Sequence, residues 1–174
     1  AGLWPVWRKT ELPSAEVFAH IVSALKQFKS ASHIDLNPAI SWLTNKIKDS
    51  SWSADWGRSL PYSINSMLNH IKFEKHKKEL VKYLVENQNK KGGWGVNELD
   101  SDNPSATANA IIALKQARKT SKVKAAIEKG EKYLTSTQLK NGTWPRVREV
   151  IGPRPFAYAD DCSTHNFAMQ ALLS

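Results

Sequence analysis

A chain of 174 residues with 41% hydrophobic and 24% charged residues has the composition of one ordinary globular unit, with apolar side chains enough for a substantial core. No apolar run approaches the roughly 20 residues that cross a bilayer, and no basic-then-apolar leader opens the chain, so a soluble protein without an export signal is expected. The net charge of +9 fits nucleic acid, an anionic membrane surface or a polyanion such as a diphosphate; without an Arg-rich run interleaved with aromatics, nucleic acid is not the expected partner.

The chain starts at Ala1 and enters patterned sequence at once with Gly2-Leu3-Trp4, so a processed or excised piece is expected. Helices of two kinds then alternate. Small and apolar helices are predicted over 13–28, 61–73, 104–117 and 160–173. Three of these open on Pro13-Ser14, Pro61-Tyr62-Ser63 and Pro104-Ser105, where proline's missing N–H costs nothing in a first turn. The run Ser105 to Leu114 is small or apolar on nearly every face, as a helix enclosed on most sides must be. Amphipathic helices are predicted over 37–49, 76–89 and 121–139. In the last, Val123, Ile127, Gly130 and Leu134 form a stripe, and Lys122, Lys124, Glu128, Lys129, Glu131 and Lys132 fill the other side. Many lysines fall in 72–91 and 115–132, and read as solvated faces of such helices.

The connections repeat. Tyr83-Leu84, Gln88, Gly92 and Trp94 recur at identical offsets as Tyr133-Leu134, Gln138, Gly142 and Trp144. Trp42-Leu43 with Trp52 is a degraded copy, and Gly2-Leu3-Trp4 is a remnant. Trp4, Trp52, Trp94 and Trp144 stand 48, 42 and 50 residues apart, the range of two-helix repeats. The glycine is expected to close a helix C-terminus in the left-handed conformation, and the tryptophan to cover the joint between repeats. The expected fold is therefore all-α: an α/α toroid, or incomplete α/α barrel, of inner and outer helices over 1–174. Seven helices make about three and a half inner-outer pairs, which should leave an open edge, so a fragment or half of a larger toroid is expected.

The pattern Gln-x-x-x-Gly-x-Trp at Gln88–Gly92–Trp94 and Gln138–Gly142–Trp144 resembles the repeat of squalene-hopene cyclases, oxidosqualene cyclases and related class II terpene cyclases. That resemblance implies an isomerase- or lyase-type enzyme with a central cavity for a hydrophobic isoprenoid. There a carboxylic acid kept protonated by burial and a neighbouring carboxylate protonates an alkene or epoxide, and aromatic faces steer the cation. The family's Asp-x-Asp-Asp motif has two partial counterparts. Tyr158-Ala159-Asp160-Asp161 keeps the last two acids and precedes an inner helix, which makes Asp161 the favoured acid with Asp160 beside it; helix capping is the structural alternative. Asp100-Ser101-Asp102-Asn103 keeps the first two, and capping or a loop role is again the alternative. Tyr158, Phe167, Tyr62 and Phe156 are candidates to line the cavity, and each equally fits a core.

Asp160-x-Cys162 resembles the zinc-ligand pair of protein prenyltransferase β-subunits, which opens a second reading as a zinc-dependent transferase half. A third is a toroid segment that binds a lipid or partner domain without catalysis. His20, His33, His70 and His76 lack metal-ligand spacing, and no phosphate loop is present, so neither cofactor nor metal is expected. Cys162 is the sole cysteine, which excludes an internal disulfide and favours a reducing, cytoplasmic setting, with peripheral membrane contact left open by the charge.

Overall fold

A computed structural model describes residues 59–70, 74–96, 102–149, 158–159 and 161–174, together with 21, 24–25, 34–35, 38, 41–42 and 45–46. From Leu60 onward the helices are, in order, α1 (Leu60–His70), α2 (Glu74–Glu86), α3 (Pro104–Lys115), α4 (Ser121–Thr137) and α5 (Asp161–Leu173). A two-residue antiparallel pair, β1 (Arg148–Glu149) and β2 (Tyr158–Ala159), precedes α5 with Arg148 opposite Ala159 and Glu149 opposite Tyr158. Sequence periodicity gave no sign of this pair, because two residues cannot display an alternation; the architecture remains helical. The helices expected over 13–28 and 37–49 lie mostly outside the described residues, as do Trp4 and Trp52.

Helix α3 is the centre of the packing. Every residue from Pro104 to Leu114 is buried, and α1, α4 and α5 pack on it most extensively. Alanine at 106, 108, 110 and 113 lets the neighbours approach closely, while Ile111, Ile112 and Leu114 fill the remaining space. Its start is specified locally: Asn103 is extended, its side chain accepts from the Ala106 N–H, and Pro104 occupies the first turn. Helices α1, α3 and α5 thus form the inner layer. The outer helices α2 and α4 lie on it by one face. On α4 the buried row is Val123, Ala126, Gly130, Tyr133 and Leu134, so Ala126 and Tyr133 join the expected stripe and Ile127 is only half-buried. Thr120 caps α4 by accepting from the Val123 N–H.

The two Gly-x-Trp turns are built alike. Asn89 N–H donates to the Gly93 carbonyl and Gly92 N–H to the Asn89 carbonyl, both at 3.0 Å; Leu139, Thr143 and Gly142 repeat the pattern at 2.8 and 2.9 Å. This is a three-residue hairpin loop whose last residue is a left-handed glycine, with φ of +93° at Gly92 and +83° at Gly142. From the sequence these glycines are expected to close the helix C-termini; they are left-handed, but α2 and α4 have already ended at Glu86 and Thr137, and the left-handed residue serves the hairpin that follows. Each tryptophan folds back, its indole N–H donating at 2.8 Å to the carbonyl of Leu84 or Leu134 in the preceding helix.

Candidate active site

Gln88, Gly92 and Trp94 join three helices. The Gln88 amide donates to the carbonyls of Gly92 and of Ala126 in α4, both at 2.8 Å. A Cβ at Gly92 would stand 2.6 Å from the Lys129 carbonyl oxygen, and Trp94 lies over Gly130, where a Cβ would stand 3.0 Å from the ring. Trp94 N–H also donates to the Thr107 hydroxyl, which binds the turn to α3. These contacts tie the turn after α2 to α3 and α4. Gln138 and Gly142 keep only the internal half of this arrangement: Gln138 donates to the Gly142 carbonyl at 2.8 Å, and among the described residues a Cβ at Gly142 would meet nothing within 4 Å.

Of the residues expected to line a cavity, Tyr62 on α1 and Phe167 on α5 are brought together edge to face, with ring centres 5.9 Å apart and planes at 62°. Both are half-buried, in the layer of helices α1, α3 and α5. Tyr158 lies in β2 opposite Glu149, and Asp161 is the first residue of α5, one turn before the buried Thr164. Asp160, Asp100 and Phe156 lie outside the described residues. Cys162 is exposed, and among the described residues no group of three His, Cys, Asp or Glu side chains is placed to hold a metal ion.

Three polar contacts were not legible in the sequence, although Asp102 itself stood in a partial motif there. Asp102, one residue before the α3 cap, presses on the glycine turn: a Cβ at Gly93 would stand 2.7 Å from its Cβ and 3.0 Å from its Oδ2. That Oδ2 is buried without a hydrogen-bond partner, while the Tyr133 hydroxyl of α4 hydrogen-bonds to the same carboxylate. Burial first, and the Asp102 charge and hydrogen bond second, push the Tyr133 hydroxyl up to about 12 from 10.0. The second feature is a buried amide bridge, Asn65 of α1 donating to Asn109 of α3 at 3.0 Å, with Gln116 donating to Asn65 at 3.1 Å. Asn109, a lone amide in an alanine-rich helix, was the legible signal. The third is His165, 5.6 Å from the Trp144 ring, whose Nδ1 is buried without a partner.

The family model for the squalene-hopene cyclase C-terminal domain matches residues 8–172. The chain belongs to this family. A squalene–hopene cyclase from Bradyrhizobium diazoefficiens is 28% identical over 157 residues, covering 78% of this chain and 23% of that protein. A drimenyl diphosphate synthase from Streptantibioticus cattleyicolor is 32% identical over 82 residues, covering 47% of this chain and 15% of that protein. The chain thus spans less than a quarter of the length of these curated relatives. Among solved structures, an ent-copalyl diphosphate synthase from Streptomyces platensis superposes over 99% of this chain and 35% of its own, with a TM-score of 0.72 at 17% identity. The type II terpene cyclase MstE from Scytonema covers 92% of this chain and 54% of its own, with a TM-score of 0.67 at 16% identity. These likenesses carry the fold: the two helix layers are α/α-toroid architecture. Neither relative nor neighbour is a zinc-dependent prenyltransferase, and that alternative is not favoured.

Proposed function

We propose that this domain belongs to an isoprenoid cyclase that starts cyclisation by protonating its polyprenyl substrate, and that it forms one part of a larger toroid. The observation that carries the reading is the Tyr62–Phe167 pair across the inner helix layer of a squalene-hopene cyclase family domain. An aromatic face stabilises a carbocation electrostatically, and an edge-to-face pair can present one to a substrate. Asp161 acts as the acid, Asp160 beside it keeps it protonated by like-charge repulsion, and Tyr158, Phe167 and Tyr62 line the substrate cavity. The second carboxylate matters because a helix N-terminus by itself favours the ionised form.

Asp161→Asn in the protein carrying the whole toroid is expected to abolish cyclised product from a polyprenyl substrate while circular dichroism keeps its helical signal. Unchanged turnover rejects the role. One observation favours a second placement of the acid: Asp102, the second acid of the other partial motif, has a buried, unpartnered oxygen. Asp102→Asn separates the two, since the variant that loses turnover with an intact fold names the acid.

The open Gly142 turn supports the larger toroid. Where Gly92 is covered by α4, Gly142 meets none of the described residues, and the outer helix of a further repeat is the shape that fits it.

A further inference from the structure

A cavity of about 670 Å³ opens between the outer helices α2 and α4, bordered by the loop that joins α3 to α4. Its floor is apolar. Val81 and Val85 stand one turn apart on α2, and Ala117 of the loop and the buried Val123 of α4 complete it. Its rim is cationic: Lys77, Lys78 and Lys82 on α2, Arg118 in the loop, and Lys122 in the first turn of α4. Among the described lining residues the carboxylate is Glu86, 3.8 Å from Lys82, and the rim sets Lys78, Arg118 and Lys122 beside that ion pair. The first turn of α4 adds to this field, because Thr120 satisfies only the Val123 N–H and the preceding N–H groups have no intrahelical acceptor.

Lysines on a solvated helix face need no apolar cleft beneath them, and an apolar seam between two helices is ordinarily closed by their own side chains. Here an open apolar trough lies under a ring of cations. Its volume falls within the about 300–1,000 Å³ of small-ligand sites. The matching chemistry is an apolar chain joined to an anionic head.

We propose that this groove seats an anionic phospholipid of a membrane surface. One acyl chain runs over Val81, Val85 and Val123, and the phosphate meets Lys78, Lys82, Arg118 and Lys122. Tyr62 and Phe167 do not line this groove, so it stands or falls independently of the cyclase reading.

The test is co-sedimentation of the purified protein with phosphatidylcholine vesicles, with and without phosphatidylglycerol. Binding is expected only with the anionic lipid. Lys78→Glu with Arg118→Glu is expected to weaken it about tenfold or more. The same charge change at exposed Lys132 and Lys140, away from the groove, should leave it intact. Val85→Ser, which alters no charge, should also weaken binding. Equal loss from both charge-reversed pairs would mean a general attraction to the +9 chain and would overturn the proposal. So would equal binding to neutral vesicles, or a Val85→Ser protein that folds by circular dichroism and binds unchanged.

Discussion

Gly92 and Gly142 share a left-handed backbone, so any side chain at either position carries strain of about 1–2 kcal/mol. Their surroundings differ, and that difference decides the cost of an added methyl. Gly92→Ala drives a Cβ to 2.6 Å from a backbone oxygen of α4, which only a shift of that helix relieves; a loss of about 3 kcal/mol or more is expected. Gly142→Ala should lose the strain term alone. Chemical denaturation of the two variants checks this, and equal losses would show that the helix contact has no energetic weight. Tyr133 gives a second residue-level prediction. Its hydroxyl titrates near 10.0 in the unfolded chain and at about 12 when folded. Between those values the unfolded state releases its proton first and is favoured. The stabilisation is therefore complete below pH 10 and is lost as the pH rises towards 12. Tyr133→Phe should remove that part of the slope, so the wild-type and variant stability curves converge or diverge specifically in this window; parallel curves would reject it.

At the scale of elements, Gln88 links α2, its own turn and α4, whereas the matching Gln138 links only its own turn. Gln88→Ala leaves the Gly92 and Ala126 carbonyls without that donor, and a loss of about 1–3 kcal/mol is expected; Gln138→Ala on the exposed turn should stay within about 0.5 kcal/mol. Urea titrations of both variants measure the contrast. The repeat itself was legible in the sequence, because Gln, Gly and Trp at fixed offsets describe local turns. The partner of Gln88 was not, since the reach from residue 88 to Ala126 depends on how two helices pack. The same limit governs the site. Tyr62 and Phe167 were recognisable as aromatic residues of inner-type helices, but their meeting depends on α1 and α5 flanking the small-residue helix α3, which no local period encodes. The Asp102–Tyr133 contact was hidden for a different reason. A carboxylate next to an Asn-Pro helix start reads as a capping group, and its burial comes from an outer helix folded over the turn.

Across the whole molecule, the unequal turns amount to a statement about assembly. In the described structure each contact that makes the Gln88–Gly92 turn costly to change comes from the next outer helix, and the Gln138–Gly142 turn lacks that helix. If the toroid continues there, both sites become equivalent once the further repeat is present. Gly142→Ala should then cost about as much as Gly92→Ala, and Gln138→Ala should rise into the range of about 1–3 kcal/mol. The measurement is the stability of both variants in the protein carrying the additional repeats, set beside the same variants in the 174-residue chain. A rise confined to the longer protein places an outer helix on the Gly142 turn. Equal, small effects in both lengths would leave that turn solvent-facing in the complete ring, and the continuity of the toroid would have to run through another surface.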